Sequence, residues 1–98
     1  MRIVKIENSQ RKNKRLKVTL DNGEIYHFGL RDGKTYIDHH DEKKRDNYRK
    51  RHIGNSWERH LIHTLIPSPA LMSWYVLWGD STDIMENVNE LNKLWRDK

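Results

Sequence analysis

Residues 67–79 read Pro67-Ser-Pro-Ala-Leu-Met-Ser-Trp-Tyr-Val-Leu-Trp-Gly79, and the reading of this stretch decides the fold. Nowhere else in a chain of strongly negative mean hydropathy do apolar side chains run almost unbroken, here at Ala70, Leu71, Met72, Trp74, Tyr75, Val76, Leu77 and Trp78. Ser68 suits an N-cap. Pro69 suits the first helical position, where its missing N–H would have no partner anyway, and Gly79 suits a left-handed stop. The pattern predicts a buried helix, apolar on most faces because neighbours cover it. A membrane span needs about 20 apolar residues, and Leu71 to Trp78 is less than half of that, so no span is expected.

The cover for this helix is read outward from it. On its C-terminal side, Asp80 to Asp83 forms a capping region. Ile84, Val88, Leu91 and Trp95 then recur at spacings of four, three and four, which is an amphipathic helix whose stripe can lie on the core helix or on a sheet. On its N-terminal side, Trp57, Leu61, Ile62 and Leu65 are the apolar set of a helix from Trp57 to Ile66, stopped by Pro67. All four tryptophans, Trp57, Trp74, Trp78 and Trp95, fall in such helical patterns and are expected in the core. Before that helix, Asp41 and Glu42 open and Arg49, Lys50, Arg51 and His52 close a basic helix ending at Gly54, the charge order that the helix dipole favours. Its one apolar anchor is Tyr48.

The first 30 residues change period. Arg2 to Glu7 is β-branched and alternating. Leu16 to Leu20 and Glu24 to Phe28 flank Asp21-Asn22-Gly23, and an Asn-Gly pair at positive φ predicts a tight hairpin. Leu16, Val18 and Leu20 share a face. The expectation is an α+β domain over 1–98: an antiparallel meander of about three strands over 1–30, then a helical part with three to four helices over 31–98.

Composition narrows the function classes. The chain has 98 residues, of which 35% are hydrophobic and 34% charged, so its core is small. It has no cysteine, which removes disulfides and thiolate metal sites. Met1-Arg-Ile-Val-Lys-Ile-Glu reaches charge before any apolar run, so no signal peptide is expected. The net charge of +5 is uneven: residues 1–60 carry sixteen Lys/Arg against nine Asp/Glu, and residues 61–98 carry three against five. A basic front suits nucleic acid or an acidic protein surface. Arg11, Lys12, Lys14 and Arg15, in a segment read as a mobile loop from Asn8 to Arg15, form one part of a basic patch, and Lys43, Lys44 and Arg45 form the other.

Six histidines raise the question of a metal. Asp38, His39, His40 and Asp41 are contiguous, and His60 and His63 are three apart on a predicted helix. Four spaced ligands or an identifiable general base are missing from the pattern, and His39 and His40 on an extended segment would point apart. No Gly-rich phosphate loop stands out. The expectation is no catalytic residue, no metal ligand and no cofactor, with a metal-dependent nuclease on His39, His40 and Asp41 as a minor alternative. Tyr36, His39, Asp41, Tyr48, Arg51 and His52 are expected to form one polar cluster: Tyr48 shares a helical face with Arg51 and His52, and Asp41 caps the helix or accepts from Arg51. Tyr36, Tyr48 and Tyr26 are the aromatics placed to stack near the basic groups.

The run Phe28-Gly29, Tyr36, His39-x-Asp41, Lys44-Arg45, Tyr48 and Arg51-His52, followed by Trp57, Ala70, Leu77-Trp78 and a closing helix, resembles a family of small proteins of nucleocytoplasmic large DNA viruses. Gly79-Asp-Ser-Thr82 stands where that family commonly has Asn-Lys-Pro-Thr, and His60 to Pro67 is longer here. The resemblance implies a viral source and no known enzymatic activity, and with the small core, the missing catalytic constellation and the basic surface the expectation is a non-enzymatic structural or interaction protein, a minor capsid or other virion component bridging larger subunits such as the major capsid protein. It would be found in the virion, and in host cytoplasm or the viral factory during assembly. The alternative is a basic nucleic-acid-binding accessory protein.

Overall fold

Leu16, Val18 and Leu20 project to one side of their strand and all three are buried, as the alternation requires. In the computed structural model, which describes residues 1–98, they belong to the middle strand of a three-stranded antiparallel sheet. The strands are β1 (Ile3–Asn8), β2 (Lys14–Leu20) and β3 (Ile25–Leu30), in the order β1-β2-β3. Five helices follow: α1 (Tyr36–His39), α2 (Glu42–Ile53), α3 (Ser56–His63), α4 (Pro69–Met72) and α5 (Ile84–Asp97). The fold is α+β. The register of β1 on β2 shifts between Ile3 and Lys5, a bulge that lets Ile3 and Ile6, three apart, both meet the core while Val4 stays half exposed.

The β2–β3 turn is a hairpin of a different type from the one expected. Only Gly23 takes positive φ, at +89°, and Asn22 does not. The Gly23 N–H donates to the Leu20 carbonyl at 2.9 Å and the Leu20 N–H to the Glu24 carbonyl at 2.8 Å. This is the three-residue loop in which a left-handed glycine follows an ordinary turn.

The apolar stretch is the centre of the core, with Leu71, Met72, Val76 and Leu77 fully buried against Phe28, Val18 and Leu91. Ser68 caps α4 through the Leu71 N–H, and Pro69 occupies its first turn. Two expectations are corrected here. The helix does not continue as an α-helix, because Ser73–Leu77 closes as a π turn in which the Trp78 N–H donates to the Ser73 carbonyl at 3.1 Å. Gly79 is not a left-handed stop, since its φ is not positive. A Cβ there would collide with the Tyr75 carbonyl oxygen and lie 2.8 Å from Asn87 Oδ1, so glycine is needed for close approach.

α3 ends at His63, well before Pro67. Its terminus is a Schellman pair, with the Ile66 N–H on the Leu61 carbonyl and the Leu65 N–H on the Ile62 carbonyl, and Leu65 takes the left-handed position at φ +57°. Trp57 is not a core residue. It is 65% exposed on the first turn of α3, whose buried contact is Ile62, and it stacks on His60 instead. Trp95 is buried, and its indole N–H donates to the Leu65 carbonyl. α5 also holds the edge strand, since Asn92 accepts from the Ile3 N–H at 2.7 Å and donates to the Ile3 carbonyl at 3.2 Å. No helix is long and apolar enough to cross a membrane.

Candidate functional site

The segment from Tyr36 to His52 builds the site, and its first part folds differently from the extended form expected. Tyr36–His39 is a helical turn and His40 takes left-handed φ. Thr35 and Asp38 form a capping box, and the Asp38 carboxylate also receives both Arg15 Nη atoms, at 2.6 and 2.7 Å. The Arg15 guanidinium holds the Asp38 carboxyl well below the usual carboxylate range. Because the folded carboxyl lies below its unfolded value of about 3.9, the pair stabilises fully above that pH and loses its effect as pH falls beneath it. Asp38→Asn is expected to cost about 1–2 kcal/mol at pH 7, more than an exposed pair because the geometry is bidentate. Urea melts should show the gap to wild type closing between pH 5 and about pH 2. A gap independent of pH would mean that the carboxylate charge contributes neither to the Arg15 pair nor to the cap.

Asp41 caps α2, accepting from the Lys43 and Lys44 N–H groups, and it makes no bond to Arg51. These bonds, led by that of Lys44, hold its carboxyl below the ordinary range. His39 Nδ1 accepts from the Asp41 N–H, so the proton of the neutral imidazole is on Nε2. His39 thus binds the Asp41 backbone, and no group of three or more His, Cys, Asp or Glu side chains is placed to hold a metal.

Tyr48, buried in the middle of α2, is the hub. Trp78 stacks on it at 4.3 Å with planes 6° apart, His52 lies at 4.1 Å, and the Arg51 guanidinium is 5.8 Å from its ring centre. Ser73 Oγ shares a 3.0 Å hydrogen bond with the Tyr48 hydroxyl. The π turn explains how Ser73 and Trp78 both meet Tyr48: its wider winding brings residues five apart onto one side, where an α-helix would separate them. His39 packs 5.5 Å from the Trp78 ring, and Arg49 donates to the Trp78 carbonyl at 3.0 Å and to Asp80 at 2.9 Å. His52 Nδ1 is 2.5 Å from Glu58, tying α2 to α3. Of the six cluster residues, His39, Tyr48, Arg51 and His52 thus meet around Tyr48 and Trp78. Asp41 supports them through the backbone, and Tyr36 stands apart beneath Arg45, whose guanidinium is 4.5 Å from its ring.

Two adjoining hollows open beside this stack. One of about 410 Å³ lies between the β3 end and α2, and one of about 270 Å³ lies above α2. Lys34, Tyr48, Arg51 and Trp78 line both, so they make one continuous cleft. Lys14 and His52 belong to the first and Lys44 to the second. No aspartate or glutamate lines either hollow, and Lys14, Lys34, Lys44 and Arg51 make no salt bridge. Gly29, at φ +77°, forms part of the wall, and a Cβ there would lie 2.7 Å from Leu77 Cδ1.

The basic patch expected from the sequence is redistributed. Arg15 is bound to Asp38, and Arg45 is largely covered and lies on Tyr36, so neither is free to meet a partner. The loop expected to be mobile is held by Arg31, which donates to the carbonyls of Ser9, Arg11 and Lys12, each at 2.8 Å. Ser9 is buried and bonds His27. Tyr36 and Tyr48 are buried, and the partly exposed aromatic beside the cations is Trp78. Lys34 and Trp78 were missed as site residues because they join α2 only in three dimensions.

The sequence model of a family of unknown function, DUF5754, matches residues 4–52. That segment is half of the chain and carries the sheet, α1 and α2 almost entire. The chain belongs to this family. The matched part supplies Lys14, Lys34, Lys44, Tyr48 and Arg51 of the cleft, and the π turn with Trp78 lies beyond it. No curated protein and no solved structure matches the chain.

Proposed function

We propose that this DUF5754 protein is a non-enzymatic interaction protein that seats an anionic partner in the cleft between β3 and α2. The observation that carries the reading is the concentration of Lys14, Lys34, Lys44 and Arg51 around one hollow with no carboxylate to answer them. Some cations are neutralised internally, as with Arg15, Lys17 and Arg49, and others such as Lys12, Lys43 and Lys50 are unpaired but line neither hollow, so what marks these four is that they share one concave site open to an external anion. The proposed setting, a minor virion component beside larger subunits such as the major capsid protein, is supported by the resemblance to large DNA virus proteins and is checked by probing purified particles for the chain.

The triple variant Lys34→Ser, Lys44→Ser, Arg51→Ser tests the cleft. These side chains are exposed, so the variant should keep its stability within about 0.5 kcal/mol per site and elute from immobilised heparin at clearly lower salt than wild type. A control triple of the same charge change away from the cleft, Lys12→Ser, Lys43→Ser, Lys50→Ser, should elute much closer to wild type. Equal shifts in both variants would mean that net charge alone drives retention and that the cleft is not the site.

A further inference from the structure

Building on that reading, we infer that the anion is a single strand of nucleic acid, whose phosphates meet the cleft cations while a base stacks at Trp78. An acidic protein would need cations alone. This cleft has in addition a partly exposed indole at its edge, shared by both hollows and held against two neighbouring rings. Tyr48 lies flat against it at 4.3 Å, His39 packs beside it at 5.5 Å, and Arg49 holds its carbonyl. An aromatic side chain held rigid beside unpaired cations is the arrangement that binds single strands, because every base has a π face and every linkage a phosphate. The π turn is what carries Trp78 to this place, and π turns inside helices are frequent at functional sites. The larger of the two hollows, about 410 Å³, suits a nucleotide unit and is within the usual range for bound small groups. A duplex would present its bases already stacked on each other and offer none to Trp78.

The experiment compares three fluorescein-labelled probes on the wild-type protein by anisotropy: a 15-nucleotide oligo-dT, the same length of abasic phosphodiester backbone, and a polyglutamate peptide of matching charge. The expected order is oligo-dT tightest, with the abasic strand weaker by about 5- to 100-fold because the stacking contact is gone. Trp78→Leu should weaken oligo-dT by a similar factor and leave the abasic strand unchanged, and Trp78→Phe should restore most of the loss. Across a salt series, log affinity for oligo-dT should fall with a slope reduced by about 2 in the Lys34, Lys44, Arg51 triple variant. Equal affinity of wild type for the oligo-dT and the abasic strand would overturn the inference without needing any variant to fold. Polyglutamate bound as tightly as oligo-dT would also overturn it while leaving the cleft as an anion site. Absence of binding to all three probes would remove the proposed function as well.

Discussion

Phe28→Ala is expected to lower the free energy of unfolding by about 3–5 kcal/mol, close to the whole stability of a domain this small. Phe28 is 1% exposed and heads the fully buried side chains by size. It sits on β3 opposite Leu16 and faces the apolar helix, so its ring closes the sheet over Leu77 and Met72. The next residue makes collapse into the cavity difficult, because Gly29 at φ +77° brings its backbone against Leu77, and that contact limits how far the strand can settle. The cavity term should therefore be near the top of its range, whereas Phe28→Leu should cost a fraction of it. Urea denaturation followed by circular dichroism gives the comparison, with Trp57→Ala, exposed on α3, as the reference within about 0.5 kcal/mol. A Phe28→Ala protein within 1 kcal/mol of wild type would mean that the sheet does not depend on this contact with the helical layer.

What was legible in the sequence and what was not divide by distance along the chain. The alternation of Leu16, Val18 and Leu20, the hairpin at Asn22-Gly23, the caps at Ser68 and Asp41 and the stripe of Ile84, Val88, Leu91 and Trp95 are local patterns, and each is found where it was expected. Local patterns cannot rank surfaces, which is why Trp57 looked like Trp95 although one is exposed and the other buried. They also say little about winding: nothing in Ser73-Trp-Tyr-Val-Leu77 distinguishes a π turn from an α turn, yet that choice moves Trp78 onto Tyr48. The polar ties that shape the site join distant residues, as in Arg15 with Asp38, Arg31 with the Ser9 loop and Asn92 with Ile3. Charge counting therefore placed in a basic patch Arg15, which the fold pairs with Asp38, and passed over Lys34, which the fold leaves unpaired.

Asn87 is the most consequential of these unheralded residues, and Asn87→Ala is expected to cost about 3–4 kcal/mol. It is a polar residue on the buried stripe of α5, 3% exposed, where an aliphatic side chain would fit the pattern better. Its amide donates to the Val76 carbonyl at 3.0 Å and the Ser81 carbonyl at 2.8 Å, and its oxygen accepts from the Ser81 N–H at 3.0 Å. The π turn and the loop after it leave backbone groups without regular partners just where the chain must reverse into α5, and this one amide answers three of them. Truncation strands those groups, each orphan costing about 1–3 kcal/mol less whatever water recovers. Gly79 is part of the same joint, since a Cβ there would press on the Asn87 oxygen and the Tyr75 carbonyl. Asn87→Asp separates the hydrogen-bond account from simple packing. The carboxylate keeps shape and volume but turns two donated bonds into repulsions with carbonyl oxygens, so at pH 7 it should be at least as damaging as alanine. Protonation favours the neutral acid in that buried place, raising its folded pKa above the unfolded value of about 3.9, so the aspartate variant should regain part of its stability relative to Asn87→Ala as pH falls below about 6. The same joint sets the position of Trp78, so both variants should weaken oligo-dT binding even where they remain folded. An Asn87→Ala protein that melts with wild type and keeps full binding would mean that the π turn and Trp78 hold their places without the amide.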